Sequence, residues 1–263
     1  MTTYLDRILQ AHRLAAVTDE RDLDELARQA STRPPGRGFT AALRETSGRE
    51  LAVIAEVKRR SPSRGELAAD LDPARLAAAY GRGGAAALSV LTDRAFFGGS
   101  ATDLAAARAA VGLPVLRKDF TVSPADVLDA RIMGADAVLL IVAALTDVEL
   151  ADLHALAVRA GLDALVEVHD EDELERAVAA GATLVGVNQR DLVSFEVDTA
   201  RAQRLAPLMP AGVVRVAESG IAGSDDARRL ADAGYHAVLV GEALVRAAQP
   251  EVAVQALRVP CAP

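Results

Sequence analysis

One phrase recurs along this chain: a glycine closing a helix-like stretch, followed within a few residues by a short apolar run. It reads GGAAALSVLT (83–92), MGADAVLLIV (133–142), AGLDALVEV (160–168), AGATLVGVN (180–188) and AGYHAVLVG (233–241). Glycine suits the left-handed position that ends a helix. Each run that follows is β-rich and continuous rather than alternating, the pattern of a parallel strand buried on both faces. Three more runs, LAVIAEV (51–57), LPVLRKD (113–119) and VVRVAES (213–219), complete a set of eight. Helix starts stand between them. Asp72-Pro73 and Ser123-Pro124 place a cap residue before a first-turn proline. Thr146 with Glu149, and Asp170 with Glu173, have capping-box spacing. Eight strands alternating with helices in 263 residues predict an α/β fold, a (β/α)8 TIM barrel. A doubly wound sheet is the alternative, but it usually has fewer strands and a G-x-G-x-x-G turn after the first, which this chain lacks.

The first ~45 residues stand outside the repeat. YLDRILQAHRL puts Leu5, Ile8, Leu9 and His12 on one helical face, DLDELARQA predicts a second helix, and RPPGRG (33–38) a break. Residues 1–45 are therefore expected to form a helical extension packed on the barrel of residues 46–263, within one domain. Aromatic residues are only 3% and Trp is absent, so the core must be Ala, Leu and Val. The net charge of −8, with no basic run beyond that ending at Arg59-Arg60, argues against nucleic acid as a partner. The longest apolar run, AVLLIVAAL (137–145), falls short of the roughly 20 residues that span a bilayer. No export signal is visible, and the single Cys261 allows no internal disulfide, which fits a reducing cytoplasm. A monomer or weak homodimer is expected.

Only two of the 29 Lys+Arg residues are lysine, Lys58 and Lys118. Arginine cannot give up a proton near neutral pH, and those two positions are expected to need a group that can. Barrel chemistry sits at the C-terminal strand ends, and residues two apart in a strand share a face. The first strand then presents Glu56 and Lys58, the third Lys118 and Phe120, the fifth Glu167, the sixth Asn188 with Arg190 beyond it, the seventh Glu218-Ser219-Gly220 and the eighth Gly241-Glu242. Each alone has an ordinary reading: an ion pair for Glu56 and Lys58, a turn residue for Asn188, a solvated charge for Arg190. Their convergence on one mouth invites shifted pKa values and acid–base roles. ESGIAGSDDA and VGEALV each set glycine at a strand exit before a helix start, where bare amides hold phosphate; simple tight turns are the alternative. Phe96, Phe97 and Phe120, three of five phenylalanines, cluster after the second and third strands and suggest a slot for a flat ring, though Phe96 equally suits core filling. His12, His154, His169 and His236 show no metal-ligand spacing, and no G-x-S-x-G elbow is present. A metal-free acid–base enzyme is the residue-level expectation.

Read together, IAEVKRRSPSRG, LRKDF, LVEVHD, GVNQRDL, AESGI and VLVGEAL resemble the strand-end motifs of indole-3-glycerol phosphate synthase, in order and one per strand exit, from about residue 4 to 258. That family closes the indole ring of 1-(2-carboxyphenylamino)-1-deoxyribulose 5-phosphate, releasing CO₂ and water without a cofactor. The resemblance implies that Lys118 is the general acid on the ketone. Lys58, Glu167 and Glu56 would divide the remaining acid and base work. Asn188 would orient the substrate hydroxyl, and Arg190 with Ser61 would hold the departing carboxylate. Phe97, Phe120 and Leu192 would flank the ring. Ser219, Gly220, Gly241 and Glu242 would meet the phosphate, with Ser219 also counted among the catalytic residues and Glu218 among those binding substrate. The long loop RRSPSRGELAADLD is expected to be mobile and to close over the substrate.

Competing readings fit less well. A sugar-phosphate isomerase usually wants a Cys or Asp pair at the strand ends, and the only Cys is in the tail. A Schiff-base aldolase needs a lysine in the sixth strand, where Val185, Val187 and Asn188 stand. A non-catalytic phosphate-binding barrel would have no reason to keep the charged strand ends.

Overall fold

The computed structural model describes residues 3–61, 65–191 and 193–261. All eight apolar runs form strands: β1 Ala52–Val57, β2 Ala87–Leu91, β3 Val115–Lys118, β4 Ala137–Ile141, β5 Asp163–Val168, β6 Leu184–Asn188, β7 Val214–Glu218 and β8 Ala237–Val240. They pair in chain order, every neighbour parallel, and β8 closes on β1 to make a barrel. Every residue of β1, β2, β4, β6 and β8 is buried, as continuous apolar runs require in a sheet covered by helices.

The recurrent glycine does what its position asks. Gly84, Gly134, Gly161, Gly181 and Gly234 all have φ between 75° and 91°, turning the chain from helix into strand. Helix starts follow the cap residues. Asp72 and Ser123 cap α4 (Pro73–Arg82) and α6 (Pro124–Met133), each with proline in the first turn. Thr146 and Glu149 complete a reciprocal box on α7 (Asp147–Arg159). The Asp170/Glu173 box on α8 (Glu171–Ala179) is only half made. Asp170 accepts the Glu173 amide, but the Glu173 carboxylate turns to the N–H and ring of His169.

The extension holds three helices where two were predicted: α1 Tyr4–Val17, α2 Leu23–Ser31 and α3 Phe39–Ser47. Leu26 and Ala30 of α2 pack against Ala125 and Leu128 of α6. The unpredicted α3 packs at the N-terminal end of the barrel. Phe39 and Leu43 are fully buried, and the Thr40 amide donates to Asp163 at the start of β5. Between α8 and α10 (Ser224–Asp232) lies the short α9 Arg201–Leu205. The chain ends with α11 Glu242–Val245 and α12 Pro250–Leu257, after α5 Ala101–Ala110 earlier in the repeat. Among the described residues, no helix is long and apolar enough to cross a membrane.

Candidate active site

The C-terminal mouth of the barrel encloses a cavity of about 520 Å³. Fourteen of the fifteen site residues expected from the sequence line it: Glu56, Lys58, Ser61, Phe97, Lys118, Phe120, Glu167, Asn188, Arg190, Glu218, Ser219, Gly220, Gly241 and Glu242. Leu192 lies outside the described residues, as do residues 62–64 of the long loop after β1. The described flanks of that loop pair as a two-stranded hairpin, Arg60–Ser61 with Gly65–Glu66.

Two ion pairs make the floor. Lys58 Nζ stands 2.5 Å from Glu56 Oε2, as the two-apart spacing at the end of β1 predicts. Lys118 Nζ lies 3.1 Å from Glu167 Oε2 and 3.6 Å from Glu218 Oε2. The glutamates are almost wholly buried. Burial works against the charge on Lys118, but Glu167, Glu218 and Glu56 outweigh it and raise its pKa. In the resting site Lys118 is therefore a loaded ammonium, the form in which a proton donor must wait. Burial also disfavours ionised Glu167, yet Lys118, His169 and the Asn188 amide hold its pKa below the ordinary value. Glu218 goes the other way. Burial, helped by Glu167 and Glu56 and only partly opposed by Lys118, pushes it up to about 8. Its Oε1 is buried without a hydrogen-bond partner. Glu218 thus holds its proton more readily than Glu167, two buried carboxyls set apart by their surroundings.

Asn188 ties the neighbouring strand ends together. Its amide donates to Glu167 Oε1 (3.2 Å), and its Oδ1 accepts from Ser219 Oγ (2.8 Å) and from the Arg190 backbone N–H (3.0 Å). Arg190 also donates to the Phe195 carbonyl. Ser219 and Gly220 both adopt left-handed backbone, φ 66° and 71°, and Ser219 is one of only two such non-glycine residues among those described. Both residues line the cavity, so this turn brings backbone to the mouth at the exit of β7. At Gly241 a β-carbon would run into the ends of the Glu56 and Lys58 side chains, so a larger residue there would displace that pair.

Phe97 and Phe120 face each other at 6.1 Å between ring centroids, tilted by 37°, and form one side of the cavity. Phe96 does not line the cavity; it stays half-buried and packs edge-on to Tyr4 of α1, outside both the slot and the core. Sequence reading missed Phe195, which lines the cavity and also meets Tyr4 edge-on; it lies in a loop with no strand-end position to mark it. It also missed His169, whose Nδ1 meets Glu173 Oε2 at 3.0 Å and whose Nε2 lies 3.7 Å from Glu167 Oε1. The motif LVEVHD held the signal, since residue 169 is two beyond Glu167.

Histidine spacing along the chain gave no metal site, but folding brings His12, Asp93 and Asp119 together with one ligand atom each within 4.8 Å of one another. Their donors and acceptors are committed to the protein. Asp93 Oδ1 accepts the Phe96 and Phe97 amides and Oδ2 meets His12, while Asp119 accepts from Thr92, Arg117 and the Phe120 amide. The cluster is a hydrogen-bond hub of the mouth.

Comparison with known proteins follows the same line. The family model described as indole-3-glycerol phosphate synthase matches residues 5–257. The chain is 53% identical over 248 residues to indole-3-glycerol phosphate synthase 2 of Streptomyces coelicolor, covering 94% of each chain. It is 51% identical over 244 residues to the Chlorobium luteolum indole-3-glycerol phosphate synthase, covering 92% of this chain and 93% of that one. With the Nocardioides protein of the same name the identity is 60% over 204 residues, 78% of each. Among solved structures, thiamine phosphate pyrophosphorylase from Pyrococcus furiosus superposes with a TM-score of 0.60 at 18% identity, covering 79% of this chain and 93% of that one, a likeness of fold alone. A match across nearly the whole chain, on a barrel with these residues at its mouth, places this chain in the indole-3-glycerol phosphate synthase family.

Proposed function

We propose that this chain is a carboxy-lyase that converts 1-(2-carboxyphenylamino)-1-deoxyribulose 5-phosphate to indole-3-glycerol phosphate, CO₂ and water, as a step of tryptophan biosynthesis in the cytoplasm. The observation that carries the reading is the loaded Lys118 ammonium, held between Glu167 and Glu218 on the floor of a cavity that also offers an aromatic wall and the Ser219-Gly220 turn.

The substrate's groups distribute over these features. Its ring lies along Phe97 and Phe120. Its phosphate meets the amides of Ser219-Gly220 and Gly241-Glu242, with the backbone rather than the Glu242 carboxylate doing the binding. Its carboxylate faces Arg190 and Ser61. In the first step the ring carbon that bears the carboxylate attacks the ketone carbon, and Lys118 gives its proton to the ketone oxygen, which becomes a hydroxyl. The carbon–carboxylate bond then breaks, CO₂ leaves, and its electron pair restores the aromatic ring. In the last step Glu167 takes a proton from the carbon beside the ring nitrogen while a lysine ammonium protonates the departing hydroxyl, which leaves as water. Lys58, braced by Glu56, stands on the side of the cavity nearest the turn after β8 and serves as the second proton donor. A carboxylate enters and neutral CO₂ departs, so each turnover takes one proton from solution. Asn188 keeps Glu167 and Ser219 in register with these steps.

The test is direct. The purified chain, given this substrate and no added metal or cofactor, is expected to develop indole fluorescence with release of one CO₂ per indole formed. Absence of indole under conditions where the chain is folded overturns the reading.

A further inference from the structure

Helix α1 runs beside the mouth of the barrel. Tyr4 meets Phe96 and Phe195 at one end, and Arg13 grips Glu149 and the Ala144 carbonyl at the other. Between them His12 drops from the helix face onto two buried aspartates, with Nε2 2.9 Å from Asp93 Oδ2 and 3.9 Å from Asp119 Oδ1. Each aspartate holds one wall of the aromatic slot by its backbone. Asp93, just past β2, accepts the Phe97 amide at 3.0 Å, and Asp119, just past β3, accepts the Phe120 amide at 2.9 Å. The imidazole itself lies on the Phe120 ring, 5.5 Å between centroids. His12 thus touches both supports of the slot and one of its walls, without lining the cavity.

Charge makes the contact more than mechanical. Asp119 is matched by Arg117 at 3.0 Å. Among the described residues, Asp93 is ion-paired with His12 alone. Two carboxylates this close repel unless a positive charge lies between them. We propose that His12 is a positioning residue that fixes the spacing of Phe97 and Phe120, so that the affinity of the site for an aromatic acid depends on the charge at a residue of the N-terminal extension. The groups that face it are Asp93, Asp119 and Asp126, with Arg117 behind Asp119. Burial opposes charging of His12, but the three acids outweigh it and raise its pKa above the ordinary 6.5. The clasp therefore keeps its charge to higher pH than a free imidazole would, and weakens as pH climbs through that raised value.

The role as a support for substrate rests on the reaction proposed above, but the slot can be probed without turnover. Anthranilate, whose own fluorescence reports binding, is titrated into the full chain and its variants across pH 6 to 9, alongside KM and kcat for the full substrate. His12→Ala is expected to weaken anthranilate binding and raise KM by about tenfold, the size of one charge-assisted hydrogen bond, with little change in kcat. The alkaline weakening expected of the parent should be absent from this variant. His12→Gln, which keeps a neutral donor toward Asp93 and guards against a folding defect, should recover only part of the affinity at neutral pH and none of the pH dependence. Unchanged affinity and pH profile in both variants, or a fall in kcat with KM unmoved, overturns the inference. Anthranilate binding that follows His12 in a chain that makes no indole leaves the clasp standing and defeats the reaction instead.

Discussion

Three glutamates end barrel strands at the same mouth, and their surroundings make them unequal. Glu167 sits against Lys118, His169 and the Asn188 amide, whereas Glu218 meets Lys118 only at 3.6 Å and has other carboxylates for company. The raised pKa of Glu218 has a stability consequence whose sign is fixed. A carboxyl that binds its proton more tightly folded than unfolded stabilises the protein fully below the ordinary value of 4.5, and that contribution is lost as pH rises through about 8. Glu218→Gln, which stays neutral throughout, should match the parent in unfolding free energy near pH 5 and exceed it near pH 9, the gap opening by on the order of 3 kcal/mol. Denaturant unfolding at the two pH values checks this; parallel stability curves would contradict it. The position of Glu218 was legible, because a strand-end glutamate can be counted along the chain. Its protonation was not, because that depends on how far three other charges lie from it after folding. The same reason explains the lysines. Their scarcity marked Lys118 as special, but the ring of acids that raises its pKa comes from strands far apart in the chain and could not be counted along it.

At the scale of elements, glycine spacing carried most of the fold. A glycine that ends a helix and an apolar run behind it are both local, and so all eight strands could be read from the chain. Helix α3 could not. Its N-cap is the left-handed Gly38, no side chain caps its start, and its buried face amounts to Phe39 and Leu43. The half-made box at Asp170 failed for a related reason, since His169 competes for the same Glu173 carboxylate. One glycine matters for packing rather than for turning. Gly83 ends α4 against α12, where the first and last helices of the barrel meet, and a β-carbon there would lie 2.6 Å from the Glu251 carbonyl oxygen and 2.8 Å from the Val254 β-carbon. Gly83→Ala must push the two helices apart. It is expected to cost about 2 kcal/mol, seen as a lowered thermal midpoint, while activity per folded molecule stays at the parent level. An unchanged midpoint would show that the seam gives way easily.

The whole molecule is a barrel braced at both ends by N-terminal helices: α3 packs at the bottom with Phe39 and Leu43 buried, and α1 runs beside the mouth from Tyr4 to Arg13. Strand topology could be read from sequence because each strand announces itself. The clasp at His12 could not, because residues 12, 93 and 119 meet only once the barrel has closed. That closure also brings the chain's two lysines to one cavity, and the account stands on what the deeper one does there. Lys118→Arg keeps the charge between Glu167 and Glu218 but removes a group able to hand over a proton. Steady-state turnover of this variant against the parent is the sharpest test. The account predicts an intact fold, a KM close to the parent's and a kcat lowered at least about 100-fold, the usual size of a lost general acid. A kcat near that of the parent would contradict it.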